Sequence, residues 1–351
     1  MNVPSAQWHG CQTLLRTDCY RSANNNRTTL IRTDYRAQLG YRKNQIVLER
    51  FIQSIILFLA VCAGLILIPW WAHSSIWATA ALVGALLTFG GVLAIQFAFL
   101  RQVNRADPAA PASRGQLVRA WWRETAVAAL VFLYWQPFRS HKFADQIPDE
   151  FCGSRGRGII LVHGFVCNRA IWSRWYPILD AQAIPYCAVN LEPLFGSIDD
   201  YVAILDGAVT RMETATGFPP LVVCHSMGGL AVRAWLRATS ADARVYRIVT
   251  IGSPHHGTSI GIGLPNVSWL VNAEQMRRSS AWLVALAQQE DTARRKKFVC
   301  FYSNCDNIVM PTSTATLDDA DNRFVDGIAH LAMLLEPKII SGALDLLKPA
   351  H

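Results

Sequence analysis

The sequence predicts an α/β fold, a mostly parallel sheet with helices on both faces, in the second half of the chain. From residue 158 onwards, short apolar runs suited to buried strands alternate with segments of helical periodicity. One of these runs, residues 221–225, leads into a serine and then into two glycines that open a helix. Such alternation indicates parallel strands joined by helical crossovers.

Each element has its own signal in the sequence. Ser197 predicts the N-terminal cap of a helix with apolar residues at helical spacing, and Gly217 lies just past its end. A helix is also predicted over residues 168–179, another after the two glycines, and one at the C-terminus. The predicted strands are residues 159–162, 186–189, 221–225, 246–251 and 298–302.

Charge divides the chain into a basic first part and a second part that is nearly neutral. Residues 1–150 hold 15 Lys and Arg against 8 Asp and Glu, whereas residues 151–351 hold 18 against 17. The basic residues of the first part flank apolar runs, whereas a nucleic-acid-binding protein would carry them on one face of a folded domain. We therefore predict no nucleic-acid partner, a basic polar tail at residues 1–50 and a catalytic domain at residues 151–351.

Residues 51–100 contain no Asp, Glu, Lys or Arg and predict a two-helix transmembrane hairpin. Their two apolar runs, residues 51–72 and 76–100, are each long enough to cross a bilayer, which takes about 20 residues. Basic residues flank the hairpin on both sides, so the positive-inside rule places both ends and the catalytic domain in the cytoplasm. In the linker at residues 101–150, the shorter apolar run 126–135 predicts a helix lying at the membrane surface.

The residues around Ser226 predict a nucleophile. A serine on a sharp turn between a strand and a helix exposes its hydroxyl beside the first N–H groups of that helix, as in the nucleophile elbow G-x-S-x-G. His225 precedes the serine and Gly228 and Gly229 support the turn, but Cys224 stands where the motif has its first glycine. We expect the small thiol side chain to cause a tolerated local shift; a redox brake on the serine is the alternative.

A carboxylate and a histidine follow the serine in the order of a serine, acid and histidine triad. Asp306 follows the predicted strand 298–302, and His330 lies in a loop before the C-terminal helix. We assign His330 as the general base and Asp306 as the carboxylate that orients it. Four other carboxylates compete for that role, or form a solvated run, a helix cap or a calcium site: Asp318, Asp319, Asp321 and Asp326.

Other histidines near strand ends compete with His330. We expect the side chain of His225, which adjoins the nucleophile, to point elsewhere. His163 lies in the loop after the first strand, and His255 and His256 are expected to hydrogen-bond to the loop backbone.

Two loops are expected to stabilise an oxyanion through backbone N–H groups. One donor is Met227, the residue after the serine. The other is Phe165 in the sequence His163-Gly164-Phe165, where Gly164 lets the backbone approach closely.

The sequence implies no metal and no cofactor. Its nine cysteines are irregularly spaced and include no C-x-x-C pair, which argues against a zinc or redox site and favours free thiols in a reducing compartment.

Residues 158–345 resemble bacterial lipases and esterases of the α/β-hydrolase fold. The similar pieces are His163-Gly164-Phe165, the serine elbow, the segment Gly252-Ser253-Pro254-His255-His256-Gly257-Thr258, and the surroundings of Asp306 and His330. The resemblance implies ester hydrolysis through an acyl-serine, and with the hairpin it implies a place in a bacterial inner membrane. Residues 258–297 form an insertion that contains bulky apolar groups, which suits either a lid over an acyl pocket or a helical cap packed against the domain.

The sequence thus predicts a membrane-anchored serine hydrolase whose substrate is a lipid-like ester with an acyl chain. An acyltransferase or thioesterase on the same triad is one alternative, and a catalytically silent membrane scaffold is another. The oligomeric state is left open.

Overall fold

The computed structural model describes residues 49–50, 53–54, 57, 75–148, 156–260 and 270–348. The predicted tail at residues 1–50 and the first predicted membrane span, residues 51–72, lie almost entirely outside the described residues.

A six-stranded sheet forms the centre of the α/β domain, and every neighbouring pair of strands in it is parallel. The strand order is β2-β1-β3-β4-β5-β6. In a sheet of this kind, ligands bind beyond the carboxyl ends of the strands. The strands are β1 Ile159–Val162, β2 Tyr186–Val189, β3 Leu221–His225, β4 Arg247–Ile251, β5 Phe298–Tyr302 and β6 Asp321–Phe324.

The predicted parallel sheet is therefore confirmed, with two corrections. β4 begins at Arg247, one residue later than expected. β6 was not predicted, because it lies at the edge of the sheet and its residues are mostly exposed. A strand paired on one side only needs few apolar side chains, so it leaves little trace in the hydropathy pattern.

Helices cover both faces of the sheet because alternate residues of each strand point to opposite sides. Ile159 and Leu161 of β1 belong to one buried apolar cluster, and Ile160 and Val162 belong to a second one. The helices of the first cluster include α4 Tyr176–Ala181 and α10 Pro337–Leu344. Those of the second include α5 Val202–Thr216, α6 Met227–Thr239 and α8 Ala281–Gln288.

The helix predicted over residues 168–179 is broken in two. A 3-10 helix spans Arg169–Trp172, and α4 then begins at Tyr176. Pro177 has no N–H to continue a helix that starts earlier, so it fits only the first turn of α4. The helix expected after Ser197 is confirmed: a 3-10 turn at Ile198–Tyr201 leads into α5, and Gly217, with φ +74°, caps the C-terminal end of α5.

Two helices precede the α/β domain and pack into its core. They are α1 Ser75–Val103 and α2 Arg114–Ala129; α2 continues through a π-helical turn at Leu130–Trp135 into the short helix α3 Gln136–Phe138. The Nε1–H of Trp121 in α2 donates to the Gly90 carbonyl oxygen of α1 at 2.8 Å. Phe97 and Leu100 of α1 are buried in the same cluster as Ile159 of β1.

Within the described ranges, none of the helices combines the length and the apolar character that crossing a membrane requires. The second predicted span, residues 76–100, falls in α1, so the predicted hairpin is not supported there. A physical reason is that part of the charge-free run covers the domain core. The run 126–135, predicted to lie at a membrane surface, likewise buries Val127, Val131 and Trp135 in this core and exposes Leu133 and Tyr134.

The predicted lid, residues 258–297, is described except for residues 261–269. It contains α7 Val271–Gln275, α8 and α9 Thr292–Arg295. The Asn272 side chain donates to the Leu194 carbonyl oxygen at 2.9 Å, and Leu283 and Leu286 are buried in the second apolar cluster. These contacts favour the alternative of a helical cap packed against the domain.

Candidate active site

Ser226 lies at the sharp turn between β3 and α6. Its backbone has φ +54° and ψ −127°, a conformation that non-glycine residues adopt only where the surrounding structure imposes it. The Ser226 N–H donates to the Ile251 carbonyl oxygen at the end of β4 at 3.0 Å. The start of α6 also lies close to β1, because a Cβ on Gly228 would come within 2.6 Å of the Val162 carbonyl oxygen. The turn is therefore tied to β4 by a hydrogen bond, and the helix that follows it starts in close approach to β1.

Asp306 and His330 form a buried pair beyond the ends of β5 and β6. Nδ1 of His330 donates to Oδ2 of Asp306 at 2.9 Å. His330 is 4% exposed and Asp306 is 1% exposed. The other oxygen, Oδ1, accepts from the N–H groups of Ile308 at 2.9 Å and Val309 at 2.8 Å. Burial acts to lower the pKa of His330, but the charge of Asp306, its hydrogen bond and the charge of Glu124 together raise that pKa above 6.5.

Gly252 makes room for this pair beside the serine turn. It follows Ile251, with φ +57°, and a Cβ there would lie 2.8 Å from Asp306 Oδ2 and 3.2 Å from His330 Nδ1. Since Ile251 also accepts the N–H of Ser226, the nucleophile and the acid–base pair meet at the end of β4. The structure thus brings the three predicted triad residues to one place.

The hydrogen bonds recorded for His330 within the described residues involve Asp306, Asn307 and His225, and none of them reaches Ser226 Oγ. In unliganded enzymes, catalytic hydrogen bonds are often long and shorten only when substrate binds.

The side chain of His225 corrects an expectation. It does not point away from the site: its ring packs against that of His330 with the centroids 4.6 Å apart. Its Nε2 lies 3.4 Å from the His330 carbonyl oxygen, which can only accept, so Nε2 carries the proton. Burial lowers the pKa of His225 well below 6.5, which keeps this ring neutral. His225 therefore supports His330 and does not compete with it as the base.

His163 fixes the loop that carries the predicted oxyanion donor Phe165. Its Nε2 accepts the N–H of Leu191 at 3.0 Å, so the proton is on Nδ1, which donates to the Gly164 carbonyl oxygen at 2.8 Å. Burial lowers the pKa of His163 to about 4, so the ring is neutral. In a trans peptide the N–H points opposite to the C=O. Holding the Gly164 carbonyl therefore aims the Phe165 N–H in the opposite direction.

The two predicted donors flank the serine. A Cβ on Gly164 would lie 2.7 Å from Ser226 Cβ, so the backbone of this loop passes directly beside the nucleophile. Met227 is the first residue of α6, and the first N–H groups of a helix have no partner within it. Val166, next to Phe165, has φ +52°, which is rare for a β-branched residue. This strain at the loop was not visible in the sequence.

Two of the four competing carboxylates form ion pairs. Asp321 begins β6 and pairs with Arg323, and Asp319 pairs with Arg295. No group of three or more His, Cys, Asp or Glu side chains that could hold a metal ion is found in the described ranges. Nε2 of the His255 ring lies 3.0 Å from the Thr250 hydroxyl oxygen. The partner of this ring is therefore a side chain, whereas the loop backbone was expected.

Cys224 fits the elbow without exposing its thiol. It is fully buried between β1 and β4, opposite Val162 and Thr250, and burial raises its pKa well above the ordinary value of 9. A protonated, inaccessible thiol is a poor target for oxidation, which argues against the redox alternative. The five cysteines recorded as free thiols in the described residues are all buried: Cys167, Cys187, Cys224, Cys300 and Cys305.

Three residues near the site were missed by sequence reasoning. Asn307 accepts the His330 N–H through its side chain at 3.3 Å. Glu124 of α2 is 1% exposed and accepts the N–H groups of Leu331 and Ala332. Gln136 of α3 accepts the N–H of Asn168, in the segment after the Phe165 loop, at 2.9 Å. The available signal for Glu124 and Gln136 was that each is a polar residue bordering the apolar run 126–135.

A parallel sheet with a strained serine between strand and helix, beside a histidine held by a carboxylate, is the arrangement of a serine hydrolase of the α/β class. The chain belongs to the alpha/beta hydrolase family, whose model matches residues 159–346.

Solved structures of lipases are similar at low identity. The mature lipase BlEst2 of Bacillus licheniformis is 17% identical with a TM-score of 0.49, over 59% of this chain and 98% of that one. Lipase B of Aspergillus fumigatus is 19% identical with a TM-score of 0.49, over 57% of this chain and 55% of that one. No curated protein matches the chain.

Proposed function

We propose that this protein hydrolyses carboxylic esters with acyl chains, with Ser226 as the nucleophile. The observation that carries the proposal is the strained Ser226 turn meeting the buried Asp306–His330 pair at the end of β4. Strain at a buried position persists only where the rest of the fold enforces it, and it is concentrated at active sites.

The residues have defined roles in the proposed reaction. Ser226 Oγ attacks the ester carbonyl carbon while His330 Nε2 takes the serine proton. His330 later gives that proton to the leaving alcohol. Asp306 holds the proton on Nδ1 and stabilises the imidazolium. The N–H groups of Phe165 and Met227 stabilise the oxyanion, and water then releases the acid from the serine.

The test uses the purified full-length chain and a fluorophosphonate probe, together with esters of rising acyl length. We expect labelling at Ser226 and hydrolysis, with Ser226→Ala lowering kcat by a factor on the order of 10⁶. Turnover retained in clean Ser226→Ala protein would rule out this mechanism. Intact wild type that is neither labelled nor active would instead match the silent scaffold. Measuring transfer to an added alcohol, and cleavage of a thioester, separates hydrolysis from acyl transfer and thioesterase activity.

We also propose that the enzyme works at the cytoplasmic face of a bacterial inner membrane, on lipid-like esters. The charge-free run at residues 51–100 and its basic flanks support this location. Exposed apolar side chains on α1 and on α2 to α3 suit contact with a bilayer: Val92, Ile95, Phe99, Trp122, Leu133, Tyr134 and Phe138.

Vesicle flotation tests the membrane contact. The full-length chain should float with vesicles that contain anionic lipid, and Trp122→Ser with Leu133→Ser should reduce the bound fraction. Val284→Ser on α8 also removes an exposed apolar side chain and is the matched control. If the Trp122→Ser/Leu133→Ser double variant floats as well as the Val284→Ser control and wild type, a contribution from α2 and the π-helical turn is excluded.

A further inference from the structure

The two helices before the α/β domain send polar side chains to the surroundings of His330: Glu124 binds the two residues after it, and Gln96 binds Asn307, which in turn binds the His330 N–H. These contacts come from α1 and α2, outside the region matched by the family model.

The first contact is made by Glu124, in the middle of α2. Its Oε1 accepts the Leu331 N–H at 2.9 Å and its Oε2 accepts the Ala332 N–H at 3.0 Å. These are the two residues directly after His330. A carboxylate that binds two successive N–H groups fixes the peptide between them, and hydrogen bonds to a charged acceptor are the stronger kind. Glu124 thereby fixes the backbone on the C-terminal side of His330.

The second contact runs through Asn307. Its side-chain oxygen accepts the His330 N–H at 3.3 Å, and its Nδ2–H donates to Gln96 Oε1 of α1 at 2.8 Å. Asn307 also follows Asp306 in the chain. Gln96 therefore holds the residue that links the acid to the backbone of the base.

Glu124 occupies a costly position. It is 1% exposed, and burying a carboxylate is unfavourable unless its charge is compensated. Burial raises its pKa to about 7, while the two backbone N–H groups and His330 oppose that rise and Asp306 adds to it. Arg123, the adjacent cation on the same helix, binds Glu336 at 3.0 Å instead. When His330 is protonated, its charge favours the ionised form of Glu124.

We propose that Glu124 is a positioning residue for the general base, so that α2 is part of the catalytic apparatus. Its carboxylate holds the segment after His330 and adds negative charge that stabilises the His330 imidazolium. The inference rests on the proposed function, because it requires His330 to act as the base.

Glu124→Gln tests the inference in the full-length chain. The substitution keeps the shape, places an amide N–H₂ against one of the two N–H groups, and removes the charge. We expect kcat to fall about tenfold to a hundredfold with KM nearly unchanged, because misplacement of a catalytic group costs rate and not binding. Without the Glu124 charge the pKa of His330 falls, so the acidic limb of kcat/KM should move to lower pH by on the order of 0.5 unit.

Arg123→Gln is the matched control. It removes the ion pair between the same helix and Glu336 without touching the segment at His330, so kcat and the acidic limb should stay as in wild type. Equal losses in the two variants, or a Glu124→Gln enzyme with wild-type kcat and pH profile, would overturn the proposal.

Two further measurements keep the outcomes separate. If Glu124→Gln does not fold, Glu124→Asp carries the test: it keeps the charge but is one methylene shorter, which withdraws the carboxylate from the Leu331 and Ala332 N–H groups. An unchanged rate of fluorophosphonate labelling in Glu124→Asp overturns the proposal. If wild type itself is neither labelled nor active, the proposed function has failed, which is a different result from an active wild type that tolerates Glu124→Gln.

Discussion

Replacing Asp306 by asparagine tests which nitrogen of His330 carries the proton. In the structure Asp306 Oδ1 accepts two backbone N–H groups, from Ile308 and Val309, and Oδ2 accepts from His330 Nδ1. In Asp306→Asn the amide oxygen must stay with the two N–H donors, because an N–H₂ group there would face them. The amide N–H₂ then faces His330 Nδ1, which can bind it only as an unprotonated acceptor.

The proton of neutral His330 is thereby moved to Nε2, the nitrogen that must accept the proton of Ser226. We expect kcat to fall by a factor of about 10⁴, the magnitude known for this exchange in a serine, histidine and aspartate triad. That factor corresponds to about 5.4 kcal/mol of transition-state stabilisation. KM should change little, because Asp306 is 1% exposed and has no access to substrate.

The assay measures initial rates on a short-chain ester, with Ser226→Ala as the background and thermal unfolding as a check on folding. Asp321→Asn is the matched control, since Asp321 is an exposed carboxylate at the sheet edge that binds Arg323. It should keep wild-type kcat. A folded Asp306→Asn enzyme with more than a tenth of wild-type kcat would refute the tautomer argument and reopen the choice of acid.

Three further predictions follow from buried contacts. Gly164→Ala should lower kcat at least about tenfold, measured on the same ester, because its Cβ would lie 2.7 Å from Ser226 Cβ. Arg233→Met should lower the free energy of unfolding, measured in urea, by about 3–5 kcal/mol, because it leaves the buried carboxylate of Glu290 without its ion-pair partner. Adding Glu290→Leu removes that unpaired charge and should recover most of the loss. kcat/KM should rise with pH through the pKa of His330, which lies above 6.5, because only the unprotonated ring accepts the serine proton; a profile flat from pH 5 to 9 would contradict this.

The strands that determine the site were predictable because their signals are local. β1, β2, β3 and β5 are apolar runs bounded by polar residues, glycine or proline, and the structure has them at the predicted residues. The order of Ser226, Asp306 and His330 along such strands predicted which side chains would meet. The carboxyl ends of parallel strands share one edge of the sheet, so this part of the site depends on few long-range details.

The supporting contacts were not predictable, because each joins residues that are far apart in the sequence. His225 was expected to point away from the site, yet its ring packs on His330, 105 residues further along. Neutral histidines such as His225 and His163 take their roles from burial and from the acceptor they face. Neither property has a local pattern in the sequence.

The charge-free run at residues 51–100 shows how one local signal can serve two structures. Absence of charge predicts a bilayer environment, but a helix that covers a large core also excludes charge from its buried face. What distinguishes α1 is the set of polar residues that follow or interrupt its apolar face. Gln96 reaches Asn307 and Asn104 reaches Thr312, each over 200 residues away. Such uncharged polar groups would be unfavourable in lipid without hydrogen-bond partners, and here they find partners in the catalytic domain.

Membrane contact and support of the base are compatible, because they use opposite sides of the helices α1 and α2. Ile95 and Trp122 are exposed on one side, and Phe97 and Glu124 are buried on the other.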